Sequence, residues 1–157
     1  MNTSVTATIP SLDLRGIDRF AQTMVAQLSK GLVIGLVGTL GAGKTTLVQA
    51  IARAAGLDSA EVTSPTFTLL QTHHGKIVLH HLDAYRLADE DEFLGLGVDE
   101  LFEDSDAWTL IEWADRVEFV MPRDTLWIKI DIQDDSMRRI TVTSTDAAVV
   151  ESLESAF

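Results

Sequence analysis

Leu32-Val33-Ile34-Gly35-Leu36-Val37-Gly38-Thr39-Leu40-Gly41-Ala42-Gly43-Lys44-Thr45 and the following Thr46-Leu47-Val48-Gln49-Ala50-Ile51-Ala52-Arg53-Ala54-Ala55 decide how this chain folds. Leu32 to Val37 is an unbroken apolar run of strand length, the pattern of a strand buried on both faces. After Thr46 the period changes. Leu47, Val48, Ile51 and Ala55 share one helical face, and Gly56 supplies a left-handed stop. Between the two lies Gly38 to Thr45, which satisfies G-x-x-x-x-G-K-[ST] in the strand–loop–helix setting that the motif requires. Its glycines let successive backbone N–H groups turn toward phosphate oxygens, and the helix adds its positive end. Lys44 is placed to reach the β- and γ-phosphates, and the Thr45 hydroxyl to ligate Mg²⁺.

The rest of the chain fits around this unit. Val5 to Ile9 reads as a short edge strand. Ser11 is the expected N-cap of a helix reaching about Leu28, with Leu14, Ile17, Phe20, Ala21, Met24 and Leu28 on one face. Thr66 to Gln71 and Ile77 to Leu82 read as strands joined by a turn at His73 to Lys76. An acidic helical region follows, broken near Gly95 and Gly97, and then the apolar strand Trp108 to Glu112. Leu126 to Ile132 and Ile140 to Val142 alternate apolar and polar residues across a polar turn, the pattern of an antiparallel hairpin. Asp146 to Leu153 is the expected closing helix. The sum is one α/β domain of the P-loop NTPase type spanning residues 1–157, a mixed central sheet flanked by helices. Its ligand is expected at the carboxyl ends of the central strands.

Composition narrows the function. The 157 residues are enough for one core, and 46% hydrophobic content excludes a disordered chain. No apolar stretch is long enough to span a bilayer, and no signal peptide is visible at the N-terminus. The absence of cysteine excludes disulfides, a thiol nucleophile and Cys-based zinc sites, which fits the cytoplasm. A net charge of −12 argues against direct gripping of nucleic acid. Asp89 to Asp106 holds nine acidic residues and no Lys or Arg, so it is either a solvated face or a docking surface for a basic partner.

Hydrolysis needs more than a phosphate loop: something must hold Mg²⁺ and position water. Asp83 and Glu112 each end an apolar strand, where a carboxylate can face bound phosphate. Ser64-Pro65-Thr66-Phe67 follows the phosphate-loop helix as a first switch segment does, which makes Thr66 a candidate γ-phosphate or Mg²⁺ sensor. His73, His74, His80 and His81 complete no metal-ligand spacing and read as surface and packing histidines. Trp113 reads either as core or as a wall of the site. A GTPase is disfavoured because the only asparagine is Asn2, so no N-K-x-D loop exists. A small-metabolite kinase and a non-hydrolysing nucleotide-binding adaptor remain open alternatives.

Four ordered motifs carry a family resemblance. They are Gly41-Ala42-Gly43-Lys44-Thr45-Thr46, Val62-Thr63-Ser64-Pro65-Thr66-Phe67-Thr68-Leu69, His81-Leu82-Asp83-Ala84-Tyr85-Arg86-Leu87 and Ile111-Glu112-Trp113. From about residue 10 to 143 the chain resembles bacterial TsaE, also called YjeE. The resemblance implies an ATP- and Mg²⁺-dependent ATPase that works with TsaD and TsaB in placing a threonylcarbamoyl group on N6 of tRNA adenosine 37. It implies contact with tRNA only through that complex, and hydrolysis that resets the complex between cycles. It also implies Lys44, Asp83 and Glu112 as catalytic residues, with Thr45 and Glu112 at the metal. Thr39, Leu40, Gly41, Ala42, Gly43, Lys44, Thr45, Thr46, Thr66 and Trp113 are expected at the nucleotide. Thr39, Ala84 and Ala114 depart from the acidic residue, leucine and proline that the family often has; of these, Thr39 changes charge above the γ-phosphate.

Overall fold

A computed structural model describes residues 3–63 and 69–157. The sheet has seven strands in the order β1-β7-β6-β2-β5-β4-β3. These are β1 (Val5–Leu12), β2 (Val33–Val37), β3 (Leu70–His74), β4 (Val78–Asp83), β5 (Ala107–Glu112), β6 (Leu126–Ile132) and β7 (Arg138–Ser144). Strands β6, β2, β5 and β4 run parallel; β7 and β3 run antiparallel to them at either side, and β1 pairs antiparallel with β7 at the edge, so it runs in the direction of the central strands. The expected mixed sheet and the hairpin of β6 and β7 are therefore present.

Helices α1 (Leu14–Gln27) and α2 (Lys44–Ala54) pack together, and α5 (Ala147–Glu154) closes beside β1. Ile34 and Leu36 of β2, Trp108 and Leu110 of β5, and Leu47, Val48 and Ile51 of α2 share one fully buried cluster. Residues of the opposite strand parity, Val33 and Ile111, pack into a second cluster with Phe93 and Val98. Those two come from the short helices α3 (Glu90–Leu94) and α4 (Val98–Phe102). A central strand with apolar residues at every position is thus covered on both faces, as its sequence demands.

The acidic segment has a partly local explanation. The Asp89 carboxylate accepts from the Glu92 backbone N–H at 2.9 Å, and Glu92 Oε2 accepts from the Ala88 N–H at 2.9 Å. This reciprocal cap starts α3, and the acidic first turn also suits the helix dipole.

The first helix begins later than expected. Asp13, not Ser11, is its N-cap, accepting from the Gly16 N–H at 2.8 Å. Strand β1 runs on to Leu12, with its register shifted between Ile9 and Leu12. Ser11 sits in that irregularity at φ 61, its N–H bonded to Gln133 Oε1 at 2.9 Å. Leu14 leaves the apolar face and is 71% exposed, whereas Ile17, Phe20, Ala21 and Met24 are buried. His73 and His74, expected in a turn, end β3 instead, paired with Leu79 and Val78. No helix among the described residues is long and apolar enough to cross a membrane.

Candidate functional site

The phosphate loop leaves the carboxyl end of β2, the strand flanked by β5 and β6. Gly38 lies so close to β6 that an added Cβ would stand 2.7 Å from the Ile130 carbonyl oxygen. Gly43 caps α2 at φ 111, a conformation that glycine adopts without strain. No side chain caps the first turn of α2, which leaves its N–H groups facing the loop's concavity.

Lys44 is 5% exposed. Its Nζ donates to the Gly38 carbonyl at 2.6 Å and the Thr39 carbonyl at 3.1 Å. It also lies 3.9 Å from the centroid of the Trp113 ring. Burial holds the Lys44 ammonium below its ordinary pKa, against the opposing pull of Glu112, Asp115 and Asp83. Trp113 adopts φ 58 and stacks obliquely on Tyr85, with ring centroids 4.7 Å apart.

The two strand-end carboxylates meet across the sheet. Asp83 and Glu112 are direct partners in the parallel β4–β5 register, so their side chains leave the same face. The Thr45 hydroxyl donates to Glu112, lying 2.7 Å from Oε1 and 3.0 Å from Oε2. Asp83 accepts from the Tyr85 N–H at 2.8 Å. A cleft of about 400 Å³ brings Lys44, Thr45, Asp83, Glu112 and Trp113 together, with Arg86 on its wall. Leu40, Gly41, Gly43 and Thr46 line the same cleft. Thr39 contributes its carbonyl to Lys44, and Ala42 is fully buried. Thr66, with the proposed switch segment Ser64 to Phe67, lies outside the described residues.

The donor set suits Mg²⁺. A hydroxyl and a carboxylate converge beside a phosphate loop, and no group of three or more His, Cys, Asp or Glu among the described residues could hold a metal by itself. A cation here would complete its shell from phosphate and water, as Mg²⁺ characteristically does.

A second cleft, of about 530 Å³, lies on the other side of the loop. Gly41, Gly43 and Thr46 border both clefts, while Asp13, Leu14 and Arg138 line only this one. Arg138 was not singled out by sequence. It sits at the start of β7, where its Nε donates to the Ala42 carbonyl at 2.8 Å and its Nη2 reaches the Gly41 carbonyl at 3.4 Å. Its Nη1 ties the hairpin carbonyls of Asp134 and Met137 at 2.9 and 3.0 Å. No local signal marks an arginine that braces a loop 96 residues away.

His81 also departs from the packing role expected of it. It is fully buried, and its Nε2 lies 2.6 Å from Glu112 Oε2. His80, on the other face of β4, bridges Thr72 Oγ1 at 2.9 Å and Asp104 at 3.0 Å. The hydrogen bond from His80, with that from the Asp106 N–H, holds the Asp104 carboxyl below its ordinary range. The signal for His81 was its spacing: two residues before Asp83 on a strand, it must share that residue's face.

A phosphate loop on a central parallel strand, beside paired strand-end carboxylates, defines a P-loop NTPase-like α/β domain. Comparison with known proteins then names the family. Residues 12–140 match the model of TsaE, described as "Threonylcarbamoyl adenosine biosynthesis protein TsaE", and the chain belongs to this family. A tRNA threonylcarbamoyladenosine biosynthesis protein TsaE from Treponema pallidum is 39% identical over 136 residues, covering 82% of this chain and 99% of the relative. The Bacillus subtilis protein of the same name is 40% identical over 125 residues, covering 79% and 77%. The crystal structure of Bacillus subtilis YdiB superposes with a TM-score of 0.78 at 28% identity, covering 99% of this chain and 97% of that one.

Proposed function

We propose that the protein binds ATP with Mg²⁺ and hydrolyses it to ADP and phosphate in support of a TsaB–TsaD complex that threonylcarbamoylates adenosine 37 of tRNA. The observation that carries this reading is the Asp83–Glu112 pair, in register at the ends of β4 and β5 beside the phosphate loop. Phosphate binding alone would need only the loop. Two carboxylates brought together on the wall of a cleft beside the loop supply what a cation and a reacting water would need.

The residues divide the work. Backbone N–H groups of the loop and the Lys44 ammonium bind the β- and γ-phosphates. Thr45 and Glu112 would hold Mg²⁺, which neutralises charge on the β- and γ-oxygens when bound. Asp83, beside Glu112 in the β4–β5 register and on the wall of the same cleft, would orient the attacking water and take its proton. Attack at the γ-phosphorus breaks its bond to the β–γ bridging oxygen, which leaves on ADP. Trp113 walls the cleft against solvent beside Lys44. Because Gly41, Gly43 and Thr46 border both clefts, the nucleoside extends past Thr46 into the larger cleft near Leu14 and Arg138.

The charge of −12 supports contact with a protein partner and an indirect relation to tRNA. Such a partner would work beside tRNA in the cytoplasm. The test is MgATP hydrolysis by the purified protein, alone and with the matching TsaB–TsaD pair, using Glu112→Ala as control. Stimulation by the pair that disappears in the variant supports the reading. Turnover that requires a small hydroxylated acceptor would make the protein a kinase. Tight MgATP binding with no hydrolysis under either condition would make it an adaptor.

A further inference from the structure

His81 sits behind Glu112 as seen from the mouth of the cleft. It pairs with Leu110 in the β4–β5 register, one pleat before the Asp83–Glu112 pair. Residues two apart on a strand share a face, so His81, Asp83, Leu110 and Glu112 all project to the side of the sheet that carries α2. The H-x-D spacing therefore places the imidazole at the rear of the Glu112 carboxylate and the Asp83 carboxylate at its side. His81 is fully buried and Glu112 is 3% exposed, so water cannot easily replace the contact between them.

The bond between them is short, 2.6 Å from Nε2 to Oε2. A carboxylate only accepts, so Nε2 is the donor. Among the described residues, the buried His81 Nδ1 has no hydrogen-bond partner. Among the described residues, the polar contact that holds the ring is Glu112. Thr45 approaches the same carboxylate from the phosphate loop, nearer to Oε1. One oxygen is pinned from behind and the other is presented forward.

We infer that His81 is a positioning residue for Mg²⁺-nucleotide binding: its Nε2–H fixes the rotamer of Glu112 so that the carboxylate and the Thr45 hydroxyl face the metal together. Groups that orient a metal-binding carboxylate act through geometry, and their loss typically costs about 10–100-fold in metal affinity or activity. This inference rests on the reading of Thr45 and Glu112 as the Mg²⁺ pair.

The test compares nucleotide affinity with Mg²⁺ and with a chelator in place of the metal, using a fluorescent ATP analogue and the full-length protein. His81→Gln places an amide nitrogen near the position of Nε2, whereas His81→Asn places it near Nδ1, out of reach of Glu112. The Mg²⁺-dependent gain in affinity is expected to survive in Gln and to fall about tenfold or more in Asn, with metal-free affinity little changed in both. Equal losses with and without metal would show a packing role only and overturn the inference. So would an intact Mg²⁺ effect in His81→Asn when Glu112→Gln abolishes it. If Glu112→Gln itself leaves the Mg²⁺ effect intact, the metal-pair reading fails first. A measurement on the unsubstituted protein does not depend on either variant folding. The imidazole ¹⁵N resonances of His81 should show Nε2 protonated, with the Nε2 signal moving when Mg²⁺ joins the nucleotide complex. A proton on Nδ1 alone, or no response to Mg²⁺, would overturn the inference.

Discussion

Replacing Arg138 by alanine removes a side chain that ties the phosphate loop to the β6–β7 hairpin. Three of its hydrogen bonds are well formed, to Ala42, Asp134 and Met137 at 2.8, 2.9 and 3.0 Å, and the fourth, to Gly41 at 3.4 Å, is weak. A hydrogen bond from a charged donor contributes about 1.5–3 kcal/mol. Only the Ala42 bond bears strongly on the loop, and the adjoining cleft lets water replace part of it, so the low end of that range applies. A loss of about 1.5 kcal/mol in loop organisation lowers nucleotide affinity about tenfold. There is also an electronic effect. The Ala42 carbonyl belongs to the same peptide as the Gly43 N–H, and a donor on the carbonyl strengthens that N–H as a phosphate donor. The hairpin bonds add to the stability loss, and a total near 3 kcal/mol lowers Tm by roughly 6–12 °C for a domain of this size. Titration calorimetry with ATP, with and without Mg²⁺, reads the affinity. The loss should be the same in both conditions, because Arg138 touches the loop and not the Thr45–Glu112 pair. Arg138→Lys should recover little, since one ammonium cannot span the loop and the hairpin together. Unchanged affinity with a lowered Tm would refute the brace and leave Arg138 as a hairpin staple.

Glycine substitutions separate clash from strain in the same loop. Gly38→Ala should unfold the loop and abolish nucleotide binding, because its Cβ would stand 2.7 Å from Ile130 O and 3.0 Å from Ala42 Cβ. Gly41→Ala has nothing within 4 Å but keeps φ 81, so thermal unfolding should show a cost of only about 1–2 kcal/mol. Asp13→Ala should cost about 1 kcal/mol through loss of the α1 cap, read by denaturant unfolding, whereas Ser11→Ala should not act through helix capping. Lys44 gives a pH signature. Its folded-state pKa is depressed, so the unfolded chain holds that proton more tightly and the charged side chain costs stability at neutral pH. This cost fades as pH rises through the depressed value toward the ordinary 10.5. Tm of the parent protein relative to Lys44→Met should therefore rise across that alkaline window; a relative fall would contradict the assignment.

The fold was legible wherever the signal was local. The apolar run of β2 meets the helical period of α2 at a glycine-rich loop, and three independent patterns agree there. The alternation in β6 and β7 was equally direct. What failed had its cause elsewhere in the chain. Ser11 has a good capping side chain, yet its backbone is held by Gln133, 122 residues away, and the helix waits for Asp13. Leu14 matches the apolar period of α1 but falls in its first turn, beside an open cleft rather than the core. His73 and His74 belong to β3 because pairing with β4 continues through them. Sequence pattern shows where a strand can begin or end, but the neighbouring strand sets where pairing stops.

The site divides along the same line. Asp83 and Glu112 could each be found as a carboxylate ending an apolar strand, because that position needs only the strand's own period. Their pairing could not, because it depends on β4 and β5 being adjacent and parallel. Once that adjacency is known, spacing within each strand acquires meaning. Asp83 falls beside Glu112, and His81, one pleat earlier, falls behind it on the same face. Read alone, a histidine in an apolar run is a packing residue. Read across the sheet, it is the group that satisfies a buried carboxylate. Arg138 extends the argument to the loop itself, whose glycines make it flexible enough to wrap phosphate and therefore in need of an outside brace. The parts proposed to touch phosphate are written in one short motif; the side chains bonded to them, directly or through Glu112, come from β4, β5 and β7.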